Sequence, residues 1–322
     1  MPSRTAIDQR NRIRAVWIAS AIAIILAIAG IWWGVSASSA KTGSTESMLP
    51  EDTSMGVVEL ITDDLEPMRA YYVDAVGLEV ISEDAEQISL GHNGEQVLSI
   101  RVEDRPQDSY ANAGLYHSAI LYPDEQALAQ VIANIATVAP QSFGGSADHA
   151  VSLAFYFADP DGNGLELYVD TPPETWVWED GLEKMGSAPL DPNLFIEQHL
   201  GTAPSSEQVT MGHVHLRVGN LQDARAFYAD TLGFAVTAEA DGALFYAAGG
   251  YHHHVATNTW MSQGADERPE SQGLGSITVN LGSPEALAEV ADRLTAAEIA
   301  FEQGDGIITV NDPWGNTVML LA

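Results

Sequence analysis

Apolar and polar positions follow one plan four times along this chain. Each block opens with a short strand, passes into a helix, and continues in β-rich runs, and in blocks one and three a polar cap opens an amphipathic helix that stops at glycine. Glu59–Val80 lies over His215–Val236 without a gap. Leu60, Leu65, Arg69, Ala70, Tyr72, Asp74, Gly77 and Val80 recur there as Leu216, Leu221, Arg225, Ala226, Tyr228, Asp230, Gly233 and Val236. In the second copy Asn220 is the expected cap, with Leu221, Ala224, Tyr228 and Leu232 on one helical face.

A second pair of blocks starts at Gly114-Leu115 and Gly273-Leu274, with helices expected over Asp124–Ala136 and Pro284–Ala296. These copies end in Asp159-Pro160-Asp161-Gly162-Asn163 and Asp312-Pro313-Trp314-Gly315-Asn316, turns between strands. Runs such as Val97–Val102, Ala150–Phe157, Leu244–Ala247 and Gly306–Val310 complete the units. The pattern therefore predicts an α+β protein of four βαβββ modules at 55–103, 113–171, 209–260 and 273–322. Two domains are expected, 55–171 and 209–322, joined by a linker over 172–208. One such module leaves a sheet face uncovered, so modules must pair, and paired curved sheets enclose an open cup.

The amino terminus breaks the pattern. Arg4, Arg10, Arg12 and Arg14 precede an uncharged apolar stretch from Ala15 to Val35, and about 20 such residues span a bilayer as one helix. The basic flank predicts a cytoplasmic amino terminus, with the remainder outside the cell membrane. Residues 1–41 are thus expected to be a membrane anchor, or a signal segment cleaved near Ala40 that would leave a secreted protein. Residues 42–54 read as a polar tether.

Composition narrows the chemistry. The 322 residues carry 45 Asp+Glu against 13 Lys+Arg, a net charge of -32, and no Cys. The first 41 hold five basic residues and one acidic one, which leaves 8 basic and 44 acidic residues beyond them. Such a surface repels phosphates and argues against a nucleic-acid partner. Without Cys, any metal site must be built from His, Asp and Glu.

With these modules the chain resembles the vicinal oxygen chelate superfamily, which comprises glyoxalases, bleomycin-resistance proteins and extradiol dioxygenases. The resemblance runs from Met55 to Ala322. Its most specific stretch is His149 through Tyr156 and Asp159-Pro160-Asp161-Gly162 to Glu166, similar to the extradiol dioxygenase signature. The departure lies just upstream, where Ala147 stands at a place usually held by Gly, Asn, Thr or a β-branched apolar residue. Within the superfamily the likeness is to two-domain catechol-2,3-dioxygenase-like proteins, which share Gly114-Leu115-Tyr116-His117 and Tyr251-His252-His253-His254.

The resemblance implies a divalent ion, Fe(II) with Mn(II) as the alternative, held by two His and one carboxylate with positions left open. His117 and His213 each lie seven residues before a helix cap, Asp124 and Asn220, and Glu166 lies on the last strand of module two. The corresponding places elsewhere are Val57, Ser276 and Met319, which offer an ion little. Ligands therefore survive only in modules two and three. One site per chain is expected there, across the linker, with modules one and four forming a degenerate cup. His215 shares a strand face with His213 and is the reserve ligand, or else a packed core His. His254 is the expected acid–base group, with His252 in reserve; alternation would send His252 and His254 to one face and His253 to the other. His149 and Tyr156 match positions that contact substrate or oxygen, although a capping His and a core Tyr would read the same. His92 and His199 lack such context and are expected at the surface.

The implied activity is extradiol cleavage of a catechol-like aromatic diol by O2. Two rivals stand beside it: a glyoxalase-like metal isomerase or lyase, which should need a fourth protein ligand near Val57 or Ser276, and a non-catalytic small-molecule binding protein. A homo-oligomer is compatible with all three.

Overall fold

The computed structural model describes residues 46–201 and 208–322. Module one comprises β1 (Ser54–Thr62), α1 (Leu65–Ala70), β2 (Glu79–Glu83), β3 (Gln87–His92) and β4 (Glu95–Val102). Module two comprises β5 (Gly114–Leu121), α2 (Glu125–Val138), β6 (Phe143–Asp148), β7 (Ser152–Ala158) and β8 (Gly164–Asp170). Three two-residue strands follow, β9 (Trp178–Glu179), β10 (Leu182–Glu183) and β11 (Ala188–Pro189), then α3 (Pro192–His199). Module three is β12 (Thr210–Arg217), α4 (Leu221–Arg225), β13 (Ala235–Ala240), β14 (Ala243–Ala247) and β15 (Val255–Asn258). Module four is β16 (Gly273–Asn280), α5 (Pro284–Ala296), β17 (Phe301–Gly304), β18 (Ile307–Asn311) and β19 (Thr317–Leu321).

The caps are those the pattern implies. Asp124, Asn220 and Ser283 each accept a hydrogen bond from the backbone N–H three residues on, which satisfies an otherwise unpaired donor of the first turn. The first helix of modules one and three differs from expectation. Beyond α1 and α4 the chain widens into π-helix, over Tyr71–Ala75 and Ala226–Leu232. The wider turn buries two consecutive aromatic residues, Tyr71 with Tyr72 and Phe227 with Tyr228, where a regular amphipathic helix would present one.

Two large sheets result. One runs β17-β18-β19-β16-β1-β4-β3-β2 and unites modules four and one; the other runs β11-β6-β7-β8-β5-β12-β15-β14-β13 and unites modules two and three. The seams are antiparallel pairings of first strands, β1 with β16 and β5 with β12. Both seams are bulged. In the second sheet Gly212 is the extra residue between the Met211 and His213 pairings, and Tyr116 the extra residue between those of Leu115 and His117.

Modules adjacent in sequence touch through their helices instead. Asn134 of α2 donates to the carbonyls of Asp74 and Ala75 at the end of the module-one helix, both at 2.8 Å. Arg293 of α5, at the matching place, donates to those of Thr231 and Leu232 at 2.9 and 2.8 Å. Each satisfies carbonyls that a helix end leaves unpaired.

The linker is less free than its composition suggests. β11 pairs with β6, Gly186 N donates to His149 O at 3.0 Å, and Phe195 of α3 packs its ring 4.9 Å from Phe155. Residues 172–200 therefore strap the second sheet. No helix among the described residues is long and apolar enough to cross a membrane, and the expected span at 15–35 lies outside them.

Candidate metal centre

Strand register brings the candidate ligands together. His213 on β12 pairs with Ala119 on β5, Ala119 pairs with Glu166 on β8, and Glu166 pairs with Tyr156 on β7. Paired residues share a sheet face, so His213, Glu166 and Tyr156 form one row, and His117 joins that face two residues from Ala119. The methyl of Ala119 leaves the space between the two flanking ligands open. His117, Glu166 and His213 offer ligand atoms that all lie within 4.8 Å of one another. Glu166 Oε2 is 3.1 Å from His117 Nε2 and 3.4 Å from His213 Nε2.

All three side chains are buried. Burial alone would raise the Glu166 carboxyl, but the adjoining His213 and His117 hold it well below the usual carboxylate range. Burial brings His213 down to about 4, against the pull of Glu166, so its imidazole is neutral and has a lone pair to offer. His117 Nε2 and His213 Nδ1 are buried without a hydrogen-bond partner. A buried, ionised carboxylate beside the neutral His213 imidazole and a His117 ring whose inward nitrogen is unsatisfied is a donor set that fits a divalent ion.

His215 lies outside the cluster. It pairs with His117 across the seam and stands edge-on to that ring at 5.0 Å, while its Nε2 is 3.0 Å from the Asn258 amide nitrogen. Tyr116 and Trp260 pack edge-on to its ring at 5.0 and 5.5 Å, and Phe245 at 5.9 Å. These aromatic rings wall one side of the cup. Tyr116 reaches that wall because it is the bulge residue of β5, which periodicity does not reveal.

His149 and Tyr156 meet, with His149 Nε2 2.7 Å from the Tyr156 hydroxyl and His149 Nδ1 2.7 Å from Gly186 O. A carbonyl can only accept, so Nδ1 carries a proton, and in the neutral ring Nε2 then accepts from Tyr156. Burial, with the Glu166 charge beside it, pushes the Tyr156 phenol well up, so it stays protonated.

The His run does not alternate, because 251–254 precede β15 and are not strand. His253 packs tilted against the ring of His213, a candidate ligand, with centroids 4.1 Å apart, and meets Phe245 at 5.1 Å. His252 Nε2 lies 2.9 Å from Asp170 Oδ1. The His254 ring instead meets Tyr251 and Phe234, and its Nδ1 accepts from Ala248 N at 3.3 Å. Burial and the neighbouring imidazoles hold His253 well below the usual histidine range, which keeps it neutral. Asp170, missed in the sequence, was open to detection by alternation from Glu166 through Tyr168. His92 is half-buried, and His199 packs on Phe195 at 4.6 Å.

The other cup has a different interior. Glu59 pairs with Ser276 and Thr278 with Met319, and Glu59 is held by Arg101 at 3.1 Å. No second group of ligand atoms is found there among the described residues. Val57 and Ser276 belong to this sheet and so cannot complete the site of modules two and three. In that site the place answering to Glu166 is Ala256, which pairs with His215 on β15 as Glu166 pairs with Ala119 on β8.

Comparison with known proteins agrees with this architecture. Residues 210–320 match the family model described as the glyoxalase/bleomycin resistance protein/dioxygenase superfamily. The chain is 36% identical over 277 residues to a catechol-2,3-dioxygenase of Bacillus subtilis, an alignment covering 82% of this chain and 95% of that protein. Its fold is similar to that of a putative dioxygenase from Bacillus subtilis, with a TM-score of 0.57 at 11% identity over 86% of each chain. It is also similar to glyoxalase I from Zea mays, with a TM-score of 0.52 at 17% identity over 84% of this chain and 92% of that one.

Proposed function

The chain belongs to the glyoxalase/bleomycin resistance/dioxygenase superfamily, and we propose that it is an extradiol ring-cleaving dioxygenase that acts with O2 on a catechol-like diol. The carrying observation is the cluster of His117, Glu166 and His213, drawn from three strands of two modules around one point. Alignment with almost the full length of a catechol-2,3-dioxygenase supports the same reading.

His117, Glu166 and His213 would hold Fe(II), or Mn(II) in its place, and the bound ion would supply a Lewis acid with open positions for a diol and O2. Ala119 and Ala256 put no ligating side chain into the remaining space. Neutral His253, packed against His213, is placed to take a hydroxyl proton and return it later, a role its position suits better than that of His254. Tyr156, kept protonated and hydrogen-bonded to His149, lines the cup beside Glu166. Tyr116, Trp260 and Phe245 offer aromatic ring surface to an aromatic substrate on that side. Ala256 is also the observation that sets the reading apart from a glyoxalase-like isomerase, since it cannot serve as the fourth protein ligand expected of one.

The test is anaerobic loading with Fe(II), addition of catechols, then air. A yellow ring-opened product is expected, with Mn(II) loading as a parallel arm. Metal bound at one ion per chain with no product from any catechol would leave a binding protein or an isomerase. We also propose that residues 15–35 anchor the protein with both sheets outside the cell membrane; protease accessibility in intact cells checks this, and full protection would refute it.

A further inference from the structure

Asp170 ends β8, four residues beyond Glu166 and on the same strand face. It contributes no ligand to the cluster, yet both of its oxygens are engaged. Oδ1 lies 2.9 Å from His252 Nε2, and Oδ2 accepts the Tyr251 hydroxyl at 3.0 Å. A carboxylate only accepts, so His252 must carry its proton on Nε2, which leaves a lone pair on Nδ1 when the ring is neutral.

That Nδ1 is 2.7 Å from His253 Nδ1. Two ring nitrogens in hydrogen-bond contact share one proton, and His252 with a neutral ring has none to give there. His253 therefore donates from Nδ1, and Nε2 becomes its acceptor. The other branch is set in the same way. Tyr251 has committed its proton to Asp170, so Tyr168, 2.8 Å away, donates to Tyr251. One carboxylate fixes the direction of four hydrogen bonds. His252 is fully buried, and the Trp176 ring of the strap lies 5.3 Å from it, which shields its imidazole from water.

We infer that Asp170 is a positioning residue of this cup: through His252 it sets the tautomer and ring plane of His253, so that the imidazole packed against His213 keeps an unprotonated Nε2. The inference rests on the reading of His253 as proton acceptor given above. It goes further in naming a relay, Asp170 to His252 to His253, that orients the base before substrate arrives.

The experiment uses the full-length, metal-free chain labelled with 15N-histidine, where long-range 1H–15N correlations distinguish the two tautomers. His252→Gln and His253→Gln supply the assignments. At neutral pH His252 should be protonated on Nε2 and His253 on Nδ1. A proton on His253 Nε2, or protons on both nitrogens of His252, overturns the inference. In Asp170→Ala, His253 should lose its fixed tautomer, and with Fe(II) restored kcat on catechol should fall by about 10-fold or more with KM little changed. Unchanged tautomers in Asp170→Ala overturn it as well. Should that variant not fold, the wild-type tautomer pair still decides. The expected tautomers in a protein that cleaves no catechol would remove the dioxygenase reading and leave the relay standing.

Discussion

The Tyr72 hydroxyl donates to Asp159 Oδ2 at 3.0 Å, linking the helix of module one to the turn that precedes the last strand of module two. Tyr228 does the same to Asp312 Oδ2 at 2.9 Å in the other half. These buried bonds, with Asn134 and Arg293 at the helix ends, hold sequence neighbours together while the sheets pair across the halves. Tyr72→Phe and Tyr228→Phe should each cost about 1–2 kcal/mol in denaturant unfolding, and the double variant close to their sum. A neutral Tyr72→Phe would mean that the bond only replaces one made to water.

Asp159 itself sets a pH dependence. Burial pushes its carboxyl up to about 6, despite hydrogen bonds from Asn163 and Tyr72. The folded state then binds more protons than the unfolded state between about pH 4 and 6, so this group's contribution to stability falls as pH rises through that window and is flat above it. Its size is about 3 kcal/mol. The unfolding free energy of Asp159→Asn minus that of wild type, measured at a series of pH values, should rise across the window; a flat difference would contradict the assignment.

Metal content separates the roles of the imidazoles. His117→Ala and Glu166→Gln should reduce bound ion from about one per chain to near none, because each removes one of the three proposed ligands. His215→Ala should retain the ion, since that ring is turned to Asn258. Elemental analysis of the three variants gives the answer, and loss of metal in His215→Ala would return His215 to the ligand set.

Gly212 marks how closely the bulge approaches the site. A Cβ there would lie 1.8 Å from the Tyr168 hydroxyl, whose ring packs 4.9 Å from His213. Gly212→Ala should therefore displace Tyr168, destabilise the fold by about 1–3 kcal/mol and weaken metal retention. Wild-type stability in that variant would show that the strand can shift at the bulge without strain.

The four modules, their caps and the three side chains that meet in the second sheet were legible in the sequence because they depend on local order. Helix and strand periods, cap residues and the spacing from cap to ligand are set within about a dozen neighbours of each residue. The absence of ligands at Val57, Ser276 and Met319 pointed in the same way to the sheet shared by modules two and three. The His run could not be resolved so. Its side-chain directions follow from a loop held by Asp170 and Tyr246, residues distant in sequence, and alternation has no force outside a strand. The π-helical turns, the placement of Tyr116 by a bulge, and the strap that covers His252 are equally products of packing between segments far apart in the chain. What the chain states locally, its sequence determined; which ring faces the ion site was decided only when the sheets closed.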